Sequence, residues 1–100
     1  MANLEHLAVV KGGKTEIDTW RTANSRTWMD LKGADLRGLD LSGAELSHAA
    51  LHGADFRGAN LAEASLLHTD APRATFAGAK LGGIDVGGSN LARAEFDSSD

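Results

Sequence analysis

From Met29 to Ser98 the chain repeats every five residues without interruption. The series opens Met29-Asp30-Leu31-Lys32-Gly33, Ala34-Asp35-Leu36-Arg37-Gly38 and closes Ala94-Glu95-Phe96-Asp97-Ser98. The third position reads Leu31, Leu36, Leu41, Leu46, Leu51, Phe56, Leu61, Leu66, Ala71, Phe76, Leu81, Val86, Leu91 and Phe96, and only Ala71 is small. The first position is mostly Ala, the second mostly Asp, Asn or Glu, and the fifth most often Gly. A period of five fits neither a helix at 3.6 nor a continuous strand at 2. It fits a short extended step followed by a corner. Side chains alternate along extended chain, so the first and third positions share the inner side. The fourth and fifth form the corner, where Gly is easily accommodated. Such a chain winds into a solenoid of stacked parallel coils.

The number of sides is also readable. Phe occurs only at Phe56, Phe76 and Phe96, always in the third position and always twenty residues apart. A four-sided coil of twenty residues stacks them on one wall above Leu36; a three-sided coil of fifteen scatters them. The other walls become Leu31–Leu51–Ala71–Leu91, Leu41–Leu61–Leu81 and Leu46–Leu66–Val86. Fourteen repeats then make about 3.5 coils.

These repeats resemble the pentapeptide-repeat family, whose motif is loosely Ala-(Asp/Asn)-Leu-x-x. The resemblance implies an all-β solenoid, a right-handed quadrilateral parallel β-helix, with the third-position ladder from Leu31 to Phe96 as its core. It also implies a non-catalytic interaction or scaffold module with no cofactor. Some members resemble duplex DNA and bind DNA gyrase, inhibiting it or shielding it from drugs. The segment from His6-Leu7-Ala8 through Trp20-Arg21 to Asn24 resembles a leader found before the repeats in some bacterial, notably cyanobacterial, members.

Residues 1–28 lack the repeat. Asn3 is placed to cap a short helix bearing Leu4, Leu7, Ala8 and Val10, ended by Gly12-Gly13. Thr15 is placed to cap a second helix running to about Ala23, with Ile17 and Trp20 on one face. Two units follow: a helical cap over 1–28, with Leu7, Val10, Ile17 and Trp20 turned toward the first coil, and a β-helix over 29–100.

Other motifs are weaker. Ala8-Val9-Val10-Lys11-Gly12-Gly13-Lys14-Thr15 fits a relaxed phosphate-loop pattern, but no strand precedes it and no residues remain for the required sheet. His48 and His68 share a corner position one coil apart, about 4.8 Å when stacked. They form at most a two-ligand metal site, with no carboxylate placed to complete it. Gly82-Gly83 and Gly87-Gly88 are explained as corners. The recurring second-position acids suit a structural role better than paired catalytic carboxylates. Ala71 and Pro72 interrupt the pattern, so a kink or widened coil is expected there.

The formal net charge is −4. Residues 29–100 carry eleven acids and six bases, and residues 1–28 carry three acids and four bases. This balance excludes an ordinary basic nucleic-acid binder. Cysteine is absent, so there is no disulfide or thiolate metal site. No apolar run approaches a membrane span, and no signal-peptide pattern is present. The sequence reads as a cytoplasmic protein, with a protein partner of unstated identity. DNA mimicry fits a monomer poorly, because about 3.5 coils span roughly 17 Å, or about five base pairs, and only a tail-to-tail dimer approaches the length a gyrase inhibitor or protector of that kind needs. The last coil leaves Val86, Leu91 and Phe96 near an open edge, with Leu81 beside them. A weak tail-to-tail homodimer is therefore expected, opposed by Asp97 and Asp100.

Overall fold

Two short helices precede the repeats in the computed structural model, which describes residues 2–99. Helix α1 (Leu4–Lys11) starts where the Asn3 side chain accepts hydrogen bonds from the N–H groups of Glu5 and His6. Helix α2 (Lys14–Ala23) starts two residues earlier than Thr15 capping allows. Its N-cap is Gly13, with φ of 84° and no side-chain cap. The left-handed turn at Gly13, open to glycine, brings Lys14 and Thr15 into the helix.

The buried stripe of α1 also differs from the expected one. Leu4 is 74% exposed and Leu7 only half-buried; Val10, part of the expected stripe, is buried, and so is His6, which lies outside it. A polar contact sets this rotation: His6 Nδ1 accepts the Asp30 N–H at 2.9 Å. On α2, Ile17 and Trp20 are buried as expected from their spacing. Val10, Ile17 and Trp20 belong to the same apolar cluster as Met29, Leu31, Leu36, Leu41 and Leu46.

From Asp30 onward every bridge is parallel and joins residues twenty apart, from Asp30 with Ala50 to Thr75 with Glu95. Each coil therefore has four sides of five residues. The bridges are isolated second-position contacts separated by turns; no longer strand forms among the described residues. The ladder is nonetheless continuous. Leu31 N–H donates to Ala50 O at 2.8 Å, Gly33 N–H to His52 O at 2.8 Å, and Ala50 N–H to Met29 O at 2.9 Å. Third- and fifth-position N–H groups thus point to the following coil, and second-position N–H groups to the preceding one.

All fourteen fifth positions adopt positive φ, eight as Gly and six as His48, Glu63, His68, Arg73, Arg93 and Ser98. Each non-glycine there costs on the order of 1–2 kcal/mol of backbone strain. Four of the six, His48, Glu63, His68 and Arg73, are held in that conformation by an inter-coil bond from their own N–H, such as His48 N–H to Leu67 O at 2.9 Å.

The interior is filled by third and first positions. Leu31 through Phe76 of the third-position ladder are all 1% exposed or less, Ala71 included. The Phe rings stack face to face, with centroids 4.9 Å apart for Phe56–Phe76 and 5.0 Å for Phe76–Phe96. Burial fails toward the end: Leu81, Val86 and Leu91 are half-buried and Phe96 is 40% exposed. No further coil lies above them among the described residues. Asp100, expected to oppose stacking of two ends, lies outside the described residues.

The expected kink at Ala71–Pro72 is absent. Asp70 bridges both Ala50 and Asn90, Ala71 N–H reaches Asn90 O at 2.8 Å, and Arg73 N–H reaches Ala92 O at 2.8 Å. Pro72 sits in the fourth position, whose N–H makes no inter-coil bond, so its missing donor leaves the ladder intact.

Candidate interaction surface

The second, fourth and fifth positions face outward, and the corner dictates what their side chains do. A second-position oxygen accepts the N–H two residues on: Asp40 from Ser42 at 3.2 Å, Asp55 from Arg57 at 3.0 Å, Asn60 from Ala62 at 3.0 Å, Asp85 from Gly87 at 3.0 Å. These are Asx turns. The repeated acids are therefore corner-forming residues.

Charge is neutralised along one face. Arg37 pairs with Asp35 through Nε at 2.8 Å and lies 3.9 Å from Asp55 of the next coil. Arg57 pairs with Asp55 at 2.7 Å. Hydrogen bonds from the Arg37 side chain, then from its backbone, hold the Asp35 carboxyl well below the usual carboxylate range. The Asp35 side chain in turn raises Arg37. Asp55 is lowered chiefly by the Arg57 side chain, and Asp40 by Ser42. A lowered native carboxyl stabilises the fold above the ordinary carboxylate range and loses that effect as pH falls from there through its lowered native value. In an NMR titration the Asp35 midpoint should lie below the ordinary value of about 3.9 and rise in Arg37→Gln. An unchanged midpoint in that variant would contradict the pairing.

Pro72 has a second consequence. With no N–H at Pro72, the Asp70 carboxylate has no Asx partner. It instead accepts from Asn90 Nδ2 at 3.2 Å and lies 3.0 Å from His52 Nε2. Three coils are thereby joined at one point on the surface.

His48 and His68 do stack, with centroids 5.3 Å apart. Trp28, 52% exposed, extends that column at 4.4 Å from His48. Near-parallel rings aim their in-plane lone pairs side by side rather than at one point. Among the described residues no group of three or more His, Asp or Glu is placed to hold a metal ion. A Cβ at Gly88 would meet the His68 ring, so the column ends over bare backbone.

The phosphate-loop-like residues Lys11 to Thr15 line an open cleft of about 350 Å³ with Asp40 and Ser42. A helix rather than a strand precedes them. Lys14 pairs with Asp18, and Asp40 adds an acidic residue to the lining. The cleft is therefore poorly suited to a nucleotide. No described helix is long and apolar enough to cross a membrane.

A family profile described as pentapeptide repeats matches in eight copies, over residues 27–61 and 40–76. Among solved structures the chain is similar to a pentapeptide repeat protein from the cyanobacterium Cyanothece 51142. The TM-score is 0.70 at 32% identity, over 73% of this chain and 50% of that one. The chain thus spans half the length of that protein. Another similar structure is a pentapeptide repeat protein from Nostoc Pcc 7120, at 26% identity, TM-score 0.36, and 88% and 87% coverage. A third is QnrB1, a plasmid-mediated fluoroquinolone resistance protein, at 25% identity, TM-score 0.38, and 72% and 40% coverage. No curated protein matches.

Proposed function

The chain belongs to the pentapeptide-repeat family, whose members fold as right-handed quadrilateral β-helices, and from that premise we propose that it is a non-catalytic docking module. Residues 29–100 form a β-helix of about 3.5 coils, and residues 1–28 cap its first edge. The observation that carries the reading is the use already made of the polar groups. Second-position acids close corners, Arg37 and Arg57 pair with acids, and Lys14 pairs with Asp18. A surface of self-satisfied side chains on stiff backbone favours recognition over bond-breaking chemistry.

The cap reading rests on hydrogen bonds that replace a missing coil. A first coil offers second- and fourth-position carbonyls, and second-position N–H groups, to a coil that does not precede it. Asn3 N–H donates to Asp30 O at 2.9 Å, and Arg21 Nη1 reaches Ser47 O at 3.4 Å. His6 supplies the acceptor for Asp30 N–H.

Self-association through the last coil is part of the proposal. Leu81, Val86, Leu91 and Phe96 supply apolar area there. The contact proposed there rests on these side chains and is weak. Gyrase binding by DNA mimicry is the less supported alternative. Arg37 and Arg57 neutralise the column such mimicry would need, and the longest dimension is 35 Å.

Charge-reversed variants of each face test the docking reading. Immobilised chain should capture a defined protein from the source cell, and reversing one face should abolish capture without changing the melt. Capture lost equally from every face, or from none, would contradict docking through a defined column. A gyrase supercoiling assay should show neither inhibition nor protection from a quinolone.

A further inference from the structure

His6 sits in the first turn of α1, 9% exposed, with the Trp20 ring edge-on at 4.9 Å. Its Nδ1 is the acceptor for the Asp30 N–H at 2.9 Å. A ring nitrogen accepts only through its lone pair, so this contact requires the neutral imidazole with its proton on Nε2. Beside it, Asn3 N–H donates to Asp30 O. The two bonds together tie α1 to the first residue of the solenoid that forms a bridge.

We propose that His6 is an acid-sensitive latch holding the helical cap on the first coil, resting on the reading of residues 1–28 as a cap. A proton on Nδ1 places a second N–H against the Asp30 N–H, turning an attraction into a donor–donor clash. The charged groups near this contact do not remove the conflict. On α1, Glu5 is exposed beside His6. On α2, Arg21 is directed to Ser47 O. On the first coil, the Asp30 carboxylate accepts the Lys32 N–H at 3.2 Å and lies 4.0 Å from Lys32 Nζ. A cation in the first turn of a helix is also disfavoured by the helix dipole. Only the neutral ring can accept the Asp30 N–H, so the latch is closed with a neutral imidazole and opens when the ring gains a proton. Opening uncovers Leu31, Leu36, Leu41 and Leu46, which a second copy can then cover.

The test uses the full chain with Trp28→Phe, leaving Trp20 as the only indole. Between about pH 8 and about pH 5, a range that spans an ordinary histidine titration, Trp20 emission should shift to the red. Light scattering should rise over the same interval. His6→Asn keeps an acceptor oxygen near the Nδ1 position and does not titrate, so it should hold the emission constant. Identical acid responses in the two proteins would overturn the latch, as would no response in either. If His6→Asn fails to fold, nitrogen-15 spectra of the parent at about pH 8 decide: Nδ1 should be bare and Nε2 protonated, and a proton on Nδ1 would overturn the proposal. Failure of the cap reading itself would look different, as loss of any effect from Trp20→Ala.

Discussion

Replacing Phe76 by Ala is expected to lower stability by about 3–5 kcal/mol, the usual range for a buried Phe. Phe76 is 1% exposed and lies between Phe56 and Phe96, with near-parallel rings about one coil spacing away on each side. Truncation therefore removes contacts in two directions at once, and the backbone ladder of Phe76 N–H to Glu95 O at 2.7 Å keeps the walls from collapsing into the gap. Phe96→Ala should cost clearly less, because its ring is already 40% exposed. Arg57→Ala should cost under about 0.5 kcal/mol, since its pair with Asp55 is a surface one. Urea melts of the three variants give the comparison. Equal costs at Phe76 and Arg57 would contradict a four-sided coil with Phe inside.

Trp20→Ala is the second large effect, about 3–5 kcal/mol for a Trp that is 8% exposed. Trp20 packs in one cluster with Val10, Ile17, Leu31 and Leu36, and its ring edge supports His6. Its loss should lower the melt and, by exposing the first coil, promote self-association. Combined melts and light scattering over a concentration series test this. A monomeric variant with an unchanged melt would contradict the cap.

Much of this was legible because the repeat leaves little freedom. Three Phe at a spacing of twenty select four sides, and the bridges follow the same spacing. Asn3 and Gly12-Gly13 mark the limits of α1 by local chemistry alone. Periodicity misled where a stripe of eight residues had two readings. Leu4, Leu7, Ala8 and Val10 make the apolar face the spacing suggests, but His6 is buried beside Val10 in place of Leu4, and the Asp30 N–H accounts for that rotation. The start of α2 was missed because Thr15 is the better side-chain cap, whereas the left-handed turn at Gly13 needs none. The Asp70–His52–Asn90 contact was not anticipated, because it depends on the second-position acids being acceptors for the fourth-position N–H, which Pro72 lacks. Trp28 joined the histidine column because it occupies the fifth place of a step before the repeat becomes recognisable.

The coil register underlies every outer column, and the three Phe rings report it directly. In a sample protonated only at Phe rings, a four-sided coil predicts nuclear Overhauser contacts for Phe56–Phe76 and Phe76–Phe96, whose centroids lie 4.9 and 5.0 Å apart. No contact between any two Phe rings, or a contact between Phe56 and Phe96, would contradict it.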